Sequence, residues 1–224
     1  MCKDTIPLSA QSVNFREIRM GKIAPNTLFR SSHPIKDYKQ EKTISILACK
    51  AQIKTVINLA DTMSGIIGKS VVAPWYDDLF KNGKVIALGM DFSLTSPDFL
   101  KKFNEALLFI IHTEAPWFIH CHAGIDRTGF VCMVLESFMG ASLDEVIKDY
   151  LKSFNSIFES SIHSSQKADE VTVMQILSIM SNSQIINEQN LQHISETYLL
   201  SKIGLSVEEV ELLRMKLSGK QPVI

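Results

Sequence analysis

Features typical of nucleic-acid binders and disulfide-rich proteins are largely missing from this sequence. Among 224 residues there are only four cysteines, and 23 Lys and Arg are balanced by 24 Asp and Glu, for a formal net charge of -1. A nucleic-acid binder needs a surplus of basic side chains to neutralise phosphates, so this balance argues against one. Cysteines 2, 49, 121 and 132 form no CxxC pair and no metal-ligand spacing. We therefore predict reduced thiols and no disulfide framework.

Long apolar runs are also absent. The opening segment lacks an apolar stretch of secretory-signal length, and no window reaches the roughly 18 apolar residues of a membrane span. We therefore predict a cytoplasmic protein without a transmembrane segment; secretion by a non-standard route stays open, and the sequence does not indicate an oligomeric state. Since no repeat or flexible linker divides the chain, 1–224 is predicted as one domain. Within it, 1–12 would be an N-terminal extension and 155–224 a helical C-terminal part.

Four short apolar segments alternate with helical patterns along the chain. They are rich in β-branched and aromatic residues, which is typical of buried strands. Ser96, Ser142 and Ser206 are placed as N-caps of the intervening and following helices. This alternation predicts an α/β fold with a central, mainly parallel sheet of four or five strands flanked by helices. The glycines and proline in 61–83 predict a long loop. The predicted strands are 27–30, 53–59, 84–90 and 117–121.

One segment carries specific chemistry: HCHAGIDRTG at 120–129, between the last predicted strand and a helix. A tight turn at Gly124 would let successive backbone N–H groups point inward and bind an anion. The helix that begins at about Arg127 adds its positive end, and a guanidinium can bind two phosphate oxygens at once. The same field stabilises a thiolate, so we predict that Cys121 is a nucleophile that needs no metal. The predicted phosphate-binding residues are His122, Ala123, Gly124, Ile125, Asp126 and Arg127.

This loop resembles the signature of the cysteine-dependent protein tyrosine phosphatases. Further segments are similar to a bacterial branch of that superfamily, which includes effectors acting on phosphoproteins and phosphoinositides. VNFRE at 13–17 is similar to its opening Asn-Phe-Arg-Asp motif, LFRSS at 28–32 to its next strand motif, and DYLKS at 149–153 to a later landmark. The resemblance implies hydrolysis of phosphomonoesters through a phosphocysteine intermediate, without a cofactor. The implied substrates are phosphotyrosine proteins, with dual or broader specificity as an extension.

Three departures from the family pattern bear on the substrate. Arg19 and Met20 replace a Gly-Gly pair, NLA at 58–60 replaces Asp-Leu-Arg, and Ile125 stands where some relatives carry Lys or another basic residue. The last departure weakens the case for a highly charged inositol phosphate. Phosphoinositide hydrolysis and phosphate binding without turnover stay open as alternatives. A sulfurtransferase would also use a loop cysteine, but the Arg-Thr-Gly run favours phosphate.

The leaving oxygen of a phosphomonoester must be protonated as its P–O bond breaks, and a carboxylic acid is the usual donor. The resemblance places this acid at Asp91, just past a predicted strand. Asp126, beside Arg127 in the loop, is the alternative, because some lipid phosphatases have been thought to use that position. Asp98 lies in the first turn of a helix, where the helix dipole would favour its charged form, so we predict a role at the helix N-terminus.

Other side chains are predicted to support the loop. The Thr128 hydroxyl would hydrogen-bond the Cys121 sulfur and ease its departure when water attacks the phosphocysteine. His120 would fix the loop from behind. Arg16 and Arg30 are predicted to brace buried loops, the phosphate-binding loop among them.

Overall fold

A computed structural model describes residues 7–35, 38–69, 73–158, 169–182 and 184–220, and only the backbone of 155–158. Its centre is a five-stranded sheet in the order β1-β2-β5-β3-β4. Strands β2, β5, β3 and β4 are parallel neighbours, and β1 pairs antiparallel with β2 at one edge. The predicted α/β fold is therefore confirmed. The strands are β1 (Arg16–Ile18), β2 (Leu28–Ser31), β3 (Thr55–Asn58), β4 (Val85–Ala87) and β5 (Trp117–His120).

The three central strands, β2, β5 and β3, are buried along their whole length. Burial on both faces explains why they read as continuous apolar runs rather than alternating patterns. In this register His120 lies opposite Ser31 on one side and Asn58 on the other. The carboxyl ends of the three strands thus meet at one edge of the sheet, and the segments that follow them converge there.

Helices cover the sheet, and the predicted caps are present. The Ser96 hydroxyl accepts a hydrogen bond from the Phe99 N–H, and Ser206 and Glu209 form a reciprocal capping box. The described helices are α1 (Tyr38–Lys50), α2 (Met63–Ile66), α3 (Pro74–Lys81), α4 (Pro97–His112), α5 (Asp126–Phe138), α6 (Leu143–Phe158), α7 (Glu170–Ser178), α8 (Leu191–Tyr198) and α9 (Val207–Leu217), with a π-helical turn at Leu199–Ile203.

Helix α5 lies at the centre of the helical layer. Every residue from Thr128 to Phe138 is buried, and the helix packs against α6, α7 and α8. A helix that is enclosed on all sides needs small or apolar side chains around its whole circumference. Gly129 meets this need, because a Cβ there would lie 2.7 Å from the Tyr150 ring. The start of α5 is consequently held firmly at the carboxyl edge of the sheet.

Three expectations need correction. The stretch 61–83 is not one long loop, since it contains α2, capped by Thr62, and α3, which begins at Pro74; 70–72 lie outside the described residues. Strand β1 was not predicted, because three partly polar residues carry no periodic signal. Cys49 is disulfide-bonded, so the prediction of reduced thiols is wrong for this residue.

Several predictions fall partly outside the described ranges. Of the predicted extension 1–12, only 7–12 are described, and the Leu8 N–H there donates to the Thr43 hydroxyl. The predicted helical C-terminal part contains the end of α6 and then α7, α8 and α9, while 159–168, 183 and 221–224 are not described. Across the described ranges, we find no helix with the length and apolar character needed to span a membrane.

Candidate active site

The phosphate loop, which we define as residues 121–127, connects the end of β5 to the first turn of α5. Gly124 has a φ of +71°, and a Cβ at this position would lie 2.8 Å from the Ser32 nitrogen and closer still to the Ser31 carbonyl. Only glycine combines this backbone conformation with so close an approach to β2. The turn that the sequence predicts at Gly124 is confirmed.

Two carbonyl groups of the phosphate loop are bound from behind. The Gly124 oxygen accepts hydrogen bonds from Asn14 Nδ2 at 2.9 Å and from Arg30 Nη2 at 2.7 Å. The His122 oxygen accepts one from the His33 N–H at 3.0 Å. In a trans peptide the C=O and N–H groups point in opposite directions. The N–H groups that follow these carbonyls, those of Ala123 and Ile125, therefore point to the other side of the loop, as an anion site requires.

Behind the loop, one carboxylate binds two arginines. Asp149 of α6 accepts from Arg30 Nη1 at 2.8 Å and from Arg16 Nε at 2.7 Å. Burial alone would raise the pKa of Asp149, but the two guanidinium groups outweigh it and hold this pKa below its ordinary value. Arg30 is completely buried and bonds to Gly124 directly, while Arg16 also donates to Asn14. Bracing of the loop by these arginines is thus confirmed.

Glu136 of α5 completes what we call the buried charge cluster: Arg16, Arg30, Glu136 and Asp149. Neither carboxyl oxygen of Glu136 receives a hydrogen bond from any described residue. Burial, together with the negative charge of Asp149, raises the pKa of Glu136 well above its ordinary value. This shift favours the protonated form of Glu136, whose hydroxyl would be the donor available to the Asp149 carboxylate.

The side of the loop opposite the buried charge cluster, which we call its front, holds the predicted nucleophile and its partners. Cys121 is a free thiol with 2% of its surface exposed. Arg127 Nη1 donates to the Met90 carbonyl at 2.7 Å and to the Leu59 carbonyl at 3.3 Å, which ties this guanidinium to the ends of two neighbouring strand segments. Thr128 Oγ1 is buried without any hydrogen-bond partner, so the bond predicted between Thr128 and the Cys121 sulfur is not formed in this structure.

The three aspartates considered as proton donors have different surroundings. Asp91 is exposed and accepts from the Ser93 N–H at 3.0 Å; because it follows the Met90 carbonyl bound by Arg127, it lies beside the loop. Asp126 is the first residue of α5, and burial raises its pKa despite the opposing charge of Arg127. Asp98 is paired with Lys102 at 2.7 Å in the first turn of α4, which fits its predicted role at a helix start.

Two residues named in the sequence analysis, His120 and Ile125, are buried. Burial lowers the pKa of His120 well below the ordinary value, so its ring is neutral. Ile125 is 4% exposed and belongs to the hydrophobic core. The position where some relatives carry a basic residue is therefore filled by an inward-packed apolar side chain.

Sequence reasoning missed two residues next to the loop. His33 follows β2, and its Nε2 lies 2.7 Å from Asp61 Oδ2, after β3. The departure at 58–60 was a signal for Asp61, since Asn58 donates to this carboxylate. No sequence signal distinguishes His33, because its neighbours depend on the order of strands in the sheet.

Comparison with known proteins agrees with this geometry. A family model described as "Tyrosine phosphatase family" matches residues 81–219, which include the whole phosphate loop and more than half of the chain. None of the curated proteins compared with the chain matches it. The motifs at 13–17 and 28–32 lie outside the matched range, so the bacterial branch stays a prediction. With a family match of this extent, centred on a loop of this geometry, the chain belongs to the tyrosine phosphatase family.

Proposed function

We propose that this protein hydrolyses phosphomonoesters through a phosphocysteine intermediate and that its substrates are phosphotyrosine proteins. One observation carries the proposal. Cys121 and Arg127 stand at the two ends of a loop whose His122 and Gly124 carbonyls are bound from behind, which directs the intervening N–H groups to the opposite side. A phosphate group bound there would meet the N–H groups, the guanidinium and the sulfur together.

In the first step the Cys121 thiolate attacks phosphorus. The S–P bond forms while the P–O bond to the leaving group breaks, and Asp91 gives its proton to the leaving oxygen. The planar guanidinium of Arg127 binds two phosphate oxygens and stabilises the charge that develops on them. The raised pKa of Asp126 makes this residue the alternative donor, because a carboxyl group must be protonated to serve as an acid.

In the second step a water molecule attacks phosphorus. The S–P bond breaks, the thiolate returns, and the water proton passes to the carboxylate of the same aspartate. The buried Thr128 hydroxyl has no partner of its own. We propose that it turns to donate to the sulfur as negative charge returns there.

The side chains of the loop favour phosphotyrosine over polyphosphorylated inositol. A substrate with several phosphates needs several cations around the site. The side chain of Ile125 instead packs into the core, so position 125 offers no cation. Phosphoinositides and phosphate binding without turnover are therefore the alternative outcomes, not the favoured ones.

Turnover of p-nitrophenyl phosphate by the purified protein in the presence of a metal chelator tests the proposal. Vanadate, which mimics phosphorus with five ligands, should inhibit. A parallel panel of phosphotyrosine peptides, phosphoserine and phosphothreonine peptides, and short-chain phosphoinositides should show the highest kcat/KM with phosphotyrosine. Binding of vanadate without turnover would contradict the enzyme and favour a phosphate-binding protein, while preference for the lipids would contradict the substrate class.

A further inference from the structure

Two side chains next to the phosphate loop, His33 and Asp61, have no part in the proposed reaction. His33 follows β2 and Asp61 follows β3, and these strands flank β5, which leads to the loop. Together with His122, the residue after the nucleophile, they form a group that we call the histidine wall.

Hydrogen bonds fix the protonation of His33. The Ile35 N–H can only donate, so His33 Nδ1, at 3.2 Å, must be unprotonated and accept. The ring proton is then on Nε2, which donates to Asp61 Oδ2 at 2.7 Å. Burial alone would raise the pKa of Asp61, but hydrogen bonds from Asn58 and His33 outweigh it and keep this pKa low. Asp61 is therefore ionised, and the His33 ring is held by a hydrogen bond at each of its nitrogens.

The Asp61 carboxylate and the His33 ring are already hydrogen-bonded to one another. Lys69 Nζ, at 3.7 Å from the other Asp61 oxygen, adds to the stability of the carboxylate. The pair is consequently suited to holding a neighbouring group in place.

The neighbouring group is His122. The rings of His33 and His122 are stacked, with centroids 5.8 Å apart and an angle of 17° between their planes. The His33 N–H also donates to the His122 carbonyl, so both the ring and the backbone of His122 are held. The His33 ring also makes an edge contact with the His120 ring, and the two ring centroids are 5.0 Å apart. His122 itself is exposed and directly follows Cys121 in the loop.

We propose that the His122 ring forms one wall of the substrate entrance and that His33 and Asp61 are the positioning residues that hold it there. This inference rests on the proposed function, and it assigns a source of selectivity for aryl phosphates. When the phosphate occupies the loop, the aromatic ring of phosphotyrosine extends out past the residue next to the nucleophile. Stacked or edge contacts between aromatic rings are favourable, whereas the short chain of phosphoserine offers no ring to this wall.

The test compares KM and kcat for phosphotyrosine and phosphoserine peptides of one sequence in four variants. His122→Ala and His33→Ala should each raise KM for phosphotyrosine about two- to tenfold, the value of one aromatic contact. For His33→Ala, kcat, inhibition by inorganic phosphate and KM for phosphoserine should stay near the unaltered values. Asp61→Ala should behave like His33→Ala, and Asp61→Asn, whose amide oxygen still accepts from His33, should restore normal KM. His112→Ala, at the far end of α4, is the matched control.

The double variant separates positioning from a general loss of structure. If His33 acts through His122, the two alanine substitutions together should raise KM no more than His122→Ala alone. The inference would be overturned if the increases in KM of the two single variants multiplied in the double variant. It would also be overturned if KM rose equally for phosphotyrosine and phosphoserine. Either result would leave the proposed function intact. Absence of turnover by the unaltered protein would contradict the proposed function itself. His122→Ala and Asp61→Asn change an exposed and an isosteric side chain, so both proteins should fold.

Discussion

Arginine and aspartate occur both behind and in front of the phosphate loop, in opposite settings. Behind it, Arg30 and Asp149 are buried and bonded to one another, and Arg30 also donates to the loop backbone. In front of it, Arg127 is half-buried and Asp91 is exposed. The same residue types therefore hold the loop on one side and, in the proposed reaction, meet a substrate on the other. Substitutions behind the loop should reduce stability first, and substitutions in front should reduce the rate.

Among substitutions that keep the nucleophile, Asp91→Asn should give the largest effect on the rate. Loss of a general acid typically costs about 10²–10⁴ in rate, most severely for alkyl phosphates, whose leaving oxygen is strongly basic. Aryl phosphates with good leaving groups should be slowed less. The measurement is kcat/KM across a series of leaving groups, with Asp126→Asn as the matched comparison. If the dependence on leaving group appears with Asp126→Asn instead, the roles of the two aspartates must be exchanged.

Asp149→Asn should give the largest effect on stability. It leaves Arg16 and Arg30 buried without a counter-charge, and breaking a buried ion pair costs about 3–5 kcal/mol in the free energy of unfolding. Asp144→Asn, in the exposed Asp144–Lys148 pair of the same helix, should cost less than about 1 kcal/mol. Denaturant unfolding measures both. Equal costs for the two variants would contradict the distinction between the back and the front of the loop.

Arg127→Lys should slow turnover without a comparable loss of stability. Lysine keeps the charge but loses the two-pronged geometry, and removal of one donor to a developing negative charge costs about 10²–10³ in kcat. Arg19→Lys, at an exposed position, should leave kcat unchanged. An unaltered kcat in Arg127→Lys would mean that this residue is only a charge at the start of α5.

Glu136→Gln should change how stability depends on pH. The raised pKa of Glu136 means that the folded state keeps a proton which the unfolded chain releases above its ordinary pKa of 4.5. The free energy of unfolding should therefore fall as pH rises above that value, by at most about 1.4 kcal/mol per pH unit. Glutamine is neutral at every pH and still donates toward Asp149, so this slope should vanish.

The acid range provides the control for Glu136→Gln. The lowered pKa of Asp149 contributes stability above its ordinary pKa of 3.8, and this stability is lost as pH falls through the folded pKa. Both proteins should lose it alike. Parallel stability curves between about pH 5 and pH 8 would show that Glu136 is ionised in the folded state.

Local patterns in the sequence predicted much of the fold and the front of the loop. Buried strands such as β5 are visible as apolar runs, and Ser96 and Ser206 mark helix starts through their own hydroxyl groups. Contacts between distant segments were harder to predict. The pairing of His33 with Asp61 depends on the strand order β2-β5-β3, which no local pattern encodes. Strand β1 and helix α2 are too short to show a periodic pattern. No local pattern marks Cys49 as disulfide-bonded.

The thiols of Cys121 and Cys132 are both buried, yet they differ in surroundings. Cys132 lies inside α5, and burial raises its pKa to about 12, which keeps it a neutral thiol. Cys121 lies at the head of the phosphate loop, next to the backbone N–H groups and the start of α5. Burial is common to both cysteines, so the proposal of Cys121 as nucleophile rests on its place beside the loop N–H groups.

Turnover by Cys121→Ser, measured beside vanadate affinity, tests the central claim most directly. Serine preserves the loop and its N–H groups, so vanadate should still bind, while hydrolysis of p-nitrophenyl phosphate should be abolished because no phosphocysteine can form. Cys132→Ala, the matched control, should retain turnover. The account predicts loss of hydrolysis with retained vanadate binding in Cys121→Ser alone. Residual turnover within about tenfold of the unaltered protein, a difference of only about 1.4 kcal/mol in the barrier, would contradict it.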